Sequence, residues 1–158
     1  MNISICCVGK LKADYLLAAQ NEYVLRITPY ARINIYEVSE EKAPEGLSVL
    51  QECNILKKEG ERLLRVVAKG YNIALDIDGY SYTSYELSQK INDLAINASP
   101  NINIFIGGSK GLSNNVLEVC KLRLSLSKMT FTHQMARVII LEQIYRAFKI
   151  IKNEPYHK

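Results

Sequence analysis

The sequence predicts an α/β fold, with a mostly parallel sheet and helices packed on both of its faces. Short apolar runs alternate with segments whose apolar residues recur at helical spacing, as in strands joined by right-handed helical crossovers. The run Ile102 to Ile106 (INIFI) is apolar throughout, which is typical of a strand buried on both faces. The length of 158 residues suits one domain, so we predict a single domain over residues 1–158.

The first half of the chain predicts two strands and two helices. In chain order these are the strand Asn2 to Val8, the helix Ala13 to Thr28, the strand Ile33 to Val38 and the helix Leu50 to Val67. Segment 39–48 (SEEKAPEGLS) is acidic and contains Pro44 and Gly46, so we expect a mobile loop there. Lys69-Gly70 is expected to end the second helix in the manner of a C-cap.

The second half continues the alternation of strands and helices. The predicted elements are the strand Tyr71 to Ile77, the helix Tyr85 to Ile96, the strand Ile102 to Ile106 and the helix Asn114 to Lys121. We expect Asp78-Gly79 to turn the chain after the third strand. Ser84 is the expected N-cap of the helix that follows it.

The stretch Leu122 to Ala147 contains a strand, a polar turn and an unusually apolar helix. Apolar and polar residues alternate from Leu122 to Ser127, the period of a half-buried strand. The core stripe of the helix is expected at Ile140, Ile144, Ala147, Phe148 and Ile151. Its apolar arc is wider than one core contact requires, which predicts a homodimer through this helix. Arg137 falls on the core stripe, where it either extends out of the first turn or faces a pocket.

Composition and charge limit the possible classes of function. No apolar run approaches a membrane span, so we expect a cytoplasmic protein without membrane contact. The four cysteines have no metal-binding spacing and are expected to be packing residues, and we expect no metal site. Residues 121–158 carry eight basic residues against two acidic ones in a chain of net charge +4. This basic quarter indicates either a docking surface for a polyanion or ordinary solvated helix charge.

Three loops at the carboxyl ends of predicted strands have unusual chemistry, and such ends are where open parallel sheets bind ligands. The first follows Leu75. The second is the glycine loop, residues 107–111 (GGSKG), which matches no phosphate-binding fingerprint and so indicates a nucleoside contact or a plain tight turn. In the third, residues 125–132, Met129 and Phe131 either cover a flat heteroaromatic group such as adenine or pack in the core.

Four motifs occur in order along the chain: FIGGSKGL, LSLSKMTFTHQMAR, LEQIYRA and a terminal PYHK. With ICCVGKLK and LDIDG, they make nearly the whole chain resemble the RlmH (YbeA-type) family of SPOUT methyltransferases. The resemblance implies methyl transfer from S-adenosylmethionine to N3 of a pseudouridine in a large-subunit ribosomal RNA stem-loop. Because the short basic body has no separate RNA-binding domain, we expect the target to be recognised by shape on assembled ribosomal subunits. The resemblance further implies a trefoil knot in the C-terminal part, with the cofactor held in the knot against the dimer seam.

The resemblance also assigns roles to individual residues. The implied cofactor-binding residues are Leu75, Gly107, Leu126, Ser127, Lys128, Met129, Thr130 and Phe131. The implied catalytic or RNA-facing residues are His133, Arg137, Tyr156 and His157. Either histidine could accept the N3 proton, and Arg137 could instead stabilise the deprotonated ring. The family pattern has proline where Thr132 stands, and we expect the threonine hydroxyl to cap the helix instead.

Two other classes of function stay open at this point. A non-catalytic RNA-binding protein associated with ribosomes would use the basic quarter, but it would not need the glycine loop or LSLSKMTF. A nucleotide-binding phosphotransfer enzyme would need a Walker lysine, which the glycine loop does not supply.

Overall fold

The computed structural model describes residues 1–97 and 101–156. Its elements are β1 (Asn2–Val8), α1 (Asp14–Ile27), β2 (Arg32–Val38), α2 (Val49–Arg65), β3 (Tyr71–Ser81), α3 (Ser84–Asn97), β4 (Asn101–Ile106), α4 (Asn114–Glu118), β5 (Leu122–Ser125) and α5 (His133–Ile151). Each predicted strand and helix is present, with ends that differ by a few residues. Among the described residues, no helix is both long enough and apolar enough to span a bilayer.

The five strands form one sheet in the order β2-β1-β4-β3-β5, and all four neighbouring pairs are parallel. This arrangement confirms the predicted α/β fold class. Since every strand runs the same way, the loops that follow β1, β3, β4 and β5 all leave from one edge of the sheet. That edge is where a ligand site is expected.

Helices cover both faces of the sheet, and each face has its own core. The larger core joins the sheet to α1, α3 and α5, while the smaller one joins it to α2 and α4. Cys6 packs in the smaller core and Cys7 in the larger, as expected for neighbouring residues of one strand. Both thiols are buried packing groups.

Two predicted helix caps are wrong. Helix α2 ends at Arg65 with Val66 as its C-cap, so Lys69-Gly70 does not cap it. Gly70 instead provides space, because a Cβ there would lie 2.5 Å from the backbone oxygen of Asn101. At α3 the capping hydroxyl belongs to Thr83, which accepts a hydrogen bond from the Glu86 amide at 3.2 Å.

The expected turn at Asp78-Gly79 is also wrong. Strand β3 continues to Ser81, and its pairing with β5 shifts register between Leu75 and Tyr80. Gly79 fits there because a Cβ would lie 2.6 Å from the backbone of Arg123. The irregular segment of β3 therefore stays against β5, where it forms part of one wall of the site.

Helix α5 packs between α1 and α3. Four of its five predicted core residues are buried, Ile151 is half-buried, and Leu141 and Arg137 are buried as well. The two neighbouring helices and the sheet therefore cover much of the wide apolar arc. The helix ends at Ile151, and Asn153, two residues further on, has a φ of 52° that lets the Glu154 amide donate to the Lys149 carbonyl at 2.9 Å.

Candidate active site

An open cavity of about 140 Å³ lies at the carboxyl ends of β3, β4 and β5, beside the first turn of α5. Its lining is mainly apolar, with a few hydroxyl and carboxylate groups, as is usual for sites that bind small organic ligands. The lining residues are Leu75, Asp76, Ile77, Ile106, Gly107, Gly108, Gly111, Leu124, Ser125, Leu126, Ser127, Met129, Thr130, Phe131, His133 and Ala136.

The glycine loop forms one wall of this cavity as a tight turn. The Gly111 amide donates to the Gly108 carbonyl at 3.2 Å, and Gly111 has a φ of 86°. A Cβ on Gly107 would lie 2.2 Å from the Gly111 oxygen, so the turn closes only if residue 107 has no side chain. The loop is thus both a tight turn and a wall of the cavity.

The segment Leu126 to Phe131, which we call the cofactor loop, forms the opposing part of the lining. The Ser125 hydroxyl donates to the Ser127 carbonyl at 3.0 Å, and the Ser127 hydroxyl accepts from the Met129 amide at 2.9 Å. These short-range bonds fix the shape of the turn. Met129 and Phe131 remain exposed, so neither is a core residue of this chain.

Thr132 joins the cofactor loop to α5. Its hydroxyl accepts a hydrogen bond from the Met135 amide at 3.2 Å, which confirms the predicted cap. Its φ of −62° is also the value that proline would impose. The chain therefore has the backbone shape of the family pattern and adds a side-chain cap that proline could not provide.

An ion pair holds the part of β3 that lines the cavity. Arg123 on β5 donates to the Asp76 carboxylate through Nε at 2.7 Å. Asp76 lines the cavity and also accepts a bond from the Asp78 amide at 3.2 Å. This carboxylate therefore orders the irregular part of β3 next to Leu75.

His133, the first residue of α5, is half-buried and lines the cavity. Burial lowers the pKa of its imidazole below the usual value, and the nearby positive charges of Arg137 and Lys12 act in the same direction. Glu40 opposes them. Because the ordinary value is about 6.5, His133 is largely neutral at pH 7 and able to accept a proton.

Arg137 lies one turn further along α5 and does not line the cavity. Its side chain is fully buried and turns toward the ends of β1 and β2, where Nη1 donates to the Glu37 carboxylate at 2.5 Å. Its Nη2 group donates to the carbonyls of Val8, at 3.4 Å, and Gly9. The expectation that the first turn brings Arg137 to the pocket is therefore wrong, and a catalytic role for Arg137 stays a prediction.

Tyr156 lies against the second half of α5. Its ring packs edge-on against Tyr145 with centroids 4.8 Å apart, and its hydroxyl donates to Glu142 at 3.3 Å. Burial is the main cause that raises the pKa of Tyr156 to about 12, so the phenol stays protonated at neutral pH. The other predicted tail residue, His157, lies outside the described residues.

The structure thus brings together most of the predicted site residues. Leu75, Gly107, His133 and the cofactor loop all line one cavity, except that Lys128 is exposed and absent from the lining. The sequence reasoning missed Ile106 and Ala136, which looked like ordinary core positions. It also missed Glu37, the partner of Arg137, because a glutamate in a strand gives no sign of a contact with a residue 100 positions away.

Known proteins of one family are similar to this chain over nearly its whole length. A family described as "Predicted SPOUT methyltransferase" matches residues 1–157. The proteins named "Ribosomal RNA large subunit methyltransferase H" from Ruminiclostridium cellulolyticum and Clostridium novyi are each 50% identical to this chain, over the full length of both chains.

The fold also resembles a solved structure. Lpg2936 from Legionella pneumophila, determined in complex with the bound cofactor SAM, superimposes with a TM-score of 0.50 at 13% identity, over 94% of this chain. The chain spans 66% of the length of that protein. At this identity the likeness concerns the fold alone. The family match and the full-length relatives show that the chain belongs to the SPOUT methyltransferase family.

Proposed function

We propose that this protein transfers a methyl group from S-adenosylmethionine to large-subunit ribosomal RNA, at N3 of a pseudouridine in a stem-loop. The observation that carries the proposal is the cavity at the ends of β3, β4 and β5, which combines the glycine loop, the cofactor loop and His133. Full-length relatives that are 50% identical carry the name of a large-subunit ribosomal RNA methyltransferase.

The residues around the cavity fit the proposed cofactor. Leu75, Leu126, Met129 and Phe131 offer apolar surface for an adenosyl group and a thioether-like chain, while serine and threonine hydroxyls lie among them. Gly107 and the cofactor loop supply backbone that a ligand can approach closely. We propose these residues, with the backbone of Lys128, as the cofactor site. S-adenosylmethionine would supply an electrophilic methyl group there.

The chain's own residues have two tasks in this reaction. The walls of the cavity hold donor and acceptor in contact, and such alignment can lower a barrier by roughly 7–11 kcal/mol at its upper limit. The N3 proton of the base must also leave, and we propose that the neutral His133 imidazole accepts it. His157 is a second candidate from the sequence.

We propose that Tyr156 faces the RNA and does not act at the reacting atom. It contacts Glu142 and Tyr145, and Glu142 is nine residues from His133, about 13 Å along the axis of α5. A phenol with a pKa of about 12 is a hydrogen-bond donor and stacking surface at neutral pH. For Arg137 to stabilise the deprotonated ring, its guanidinium would first have to break the ion pair with Glu37.

We further propose that the protein works as a homodimer through α5, that its C-terminal part is knotted, and that it acts on assembled ribosomes in the cytoplasm. Met129 and Phe131, which precede α5, and Met135 in its first turn are exposed. A second chain would cover such apolar surface. Sedimentation of the purified protein at twice the monomer mass would support the dimer, and a monomer at micromolar concentration would contradict it.

The direct test is methyl transfer in solution. Purified protein is incubated with radiolabelled S-adenosylmethionine and ribosomes from cells that lack the protein. We expect label in large-subunit RNA and none when the ribosomes already carry the modification. Unlabelled RNA, together with binding of ribosomes but not of the cofactor, would favour the non-catalytic RNA-binding alternative.

A further inference from the structure

The loop between β1 and α1, residues 9–13, carries two exposed lysines that the proposed reaction does not use, Lys10 and Lys12. Neither forms an ion pair with any residue in the ranges 1–97 and 101–156. The neighbouring cation of the glycine loop, Lys110, is by contrast paired with Glu52 at 2.7 Å. Lys10 and Lys12 thus present two free positive charges on one short loop.

This loop is firmly anchored at its base. The Gly9 amide donates to the Val38 carbonyl at 2.8 Å, and the buried Arg137 guanidinium donates to the Gly9 carbonyl. The carboxylate of Glu37 accepts both Arg137 Nη1, at 2.5 Å, and the Leu11 amide, at 3.3 Å. A buried ion pair therefore fixes the backbone on which the two lysines stand.

The same loop is joined to the first turn of α5. The Lys12 amide donates to Gln134 Oε1 at 3.2 Å, and Gln134 directly follows His133. The charge of Lys12 is also close enough to lower the pKa of His133. Since His133 lines the cavity, Lys12 stands at the mouth of the proposed active site.

Acidic groups near this loop do not cancel its charge. Glu37 is already paired with Arg137. Glu40 lies near Gly9 and Gly108, since a Cβ on either glycine would be 3.4 to 3.6 Å from its carboxylate. Because the Glu37–Arg137 ion pair carries no net charge, Lys10 and Lys12 against Glu40 leave a net charge of +1 on and beside this loop. Because Lys12 adjoins His133 through Gln134, the phosphates that flank a nucleotide in the cavity would come within reach of this loop.

We propose that Lys10 and Lys12 bind the RNA phosphates next to the target nucleotide, with Glu37 and Arg137 as positioning residues that hold their loop. The inference rests on the proposed function, because it takes RNA as the substrate. Phosphate contacts of this kind set the orientation of the nucleic acid and do not read its sequence. They also make affinity depend on salt. Each contact adds about 0.7–0.9 to the steepness of the plot of log affinity against log salt.

The test measures binding to large ribosomal subunits over a range of salt, with the double variant Lys10→Ala/Lys12→Ala. The matched control is Lys69→Ala, because Lys69 is exposed but precedes β3, at the opposite edge of the sheet. Calorimetry with S-adenosylmethionine, and the far-ultraviolet circular dichroism spectrum, check that the cofactor site and the fold of each variant are intact.

We expect the double variant to bind subunits more weakly than the wild type. The slope of log affinity against log salt should become shallower by about 1.4–1.8, the sum for two phosphate contacts. Lys69→Ala should match the wild type, and cofactor affinity should be unchanged in both. An unchanged slope in the double variant, an equal loss in Lys69→Ala, or a loss of cofactor affinity would each overturn the inference. Failure of the wild type to methylate ribosomes would overturn the proposed function, and the binding measurement would still decide the role of the lysines.

Discussion

His133 has the two properties that a proton acceptor at this site requires. It lines the cavity, and burial keeps its imidazole neutral near pH 7. The charges around it come from three different elements: Lys12 from the β1–α1 loop, Glu40 from the segment after β2, and Arg137 from α5 itself. The protonation state of one residue thus depends on how the whole edge of the sheet is assembled.

If neutral His133 accepts the N3 proton, kcat should be constant at neutral pH and fall as pH drops through the lowered pKa, below about 6.5. Glu40 raises this pKa, so Glu40→Gln should move the acid limb to lower pH. Glu45→Gln, a change to an exposed residue of the same segment, serves as control. Two results would contradict a role of His133 in proton transfer. One is an acid limb that does not shift in Glu40→Gln, and the other is an acid limb that is still present in His133→Asn.

Thr132 provides a cap that the family pattern lacks. Thr132→Ala should lower the free energy of unfolding by about 0.5–2 kcal/mol, because the Met135 amide loses its acceptor. Thr132→Ser keeps the hydroxyl and should stay within a few tenths of a kcal/mol of the wild type. Urea denaturation measures both. Equal stability of the alanine and serine variants would show that the hydroxyl does not cap α5.

Arg137 can be tested as a structural or a catalytic residue. Its side chain is fully buried while that of Glu37 is 28% exposed, so Arg137→Lys should destabilise the fold by about 2–4 kcal/mol, somewhat less than full loss of a buried pair. Glu37→Gln should be destabilising too, and a double-mutant cycle should give a coupling of about 0.5–3 kcal/mol. Wild-type stability combined with a large loss of kcat in Arg137→Lys would instead favour direct catalysis.

At the level of elements, sequence patterns predicted best where a single local rule decides the structure. The uninterrupted apolar run of β4 and the alternation in β5 predict these strands correctly, because the burial of a strand determines the pattern of apolar residues within it. Asp78-Gly79 has the composition of a turn, whereas the close approach of Gly79 to the backbone of Arg123 is not local and leaves no sign in the sequence. The contact of Arg137 with Glu37 was missed for the same reason.

The glycine loop is the element whose shape most directly determines the cavity. Gly107→Ala would place a Cβ 2.2 Å from the Gly111 oxygen, so the loop must move. Overpacking of this kind costs about 1–3 kcal/mol, and we expect affinity for S-adenosylmethionine to fall by about 5- to 150-fold by calorimetry. Ser109→Ala, at an exposed position of the same loop, should bind normally. Normal binding by Gly107→Ala would show that the loop is not part of the cofactor site.

At the level of the whole molecule, the parallel sheet explains why distant motifs meet. The residues after β3, β4 and β5 converge because parallel strands end at one edge, and α5 begins at the same place. The alternation of strands and helices predicts a parallel sheet, and a parallel sheet implies this convergence. It could not predict that α5 packs between α1 and α3, which covers much of the surface assigned to a dimer seam.

The most direct test of the account is mass spectrometry of large-subunit ribosomal RNA from cells with and without this protein. We expect one pseudouridine in a stem-loop to lose its N3 methyl group when the protein is absent, and to regain it when the wild-type chain is restored. A modification that persists unchanged in cells lacking the protein would contradict the proposed substrate.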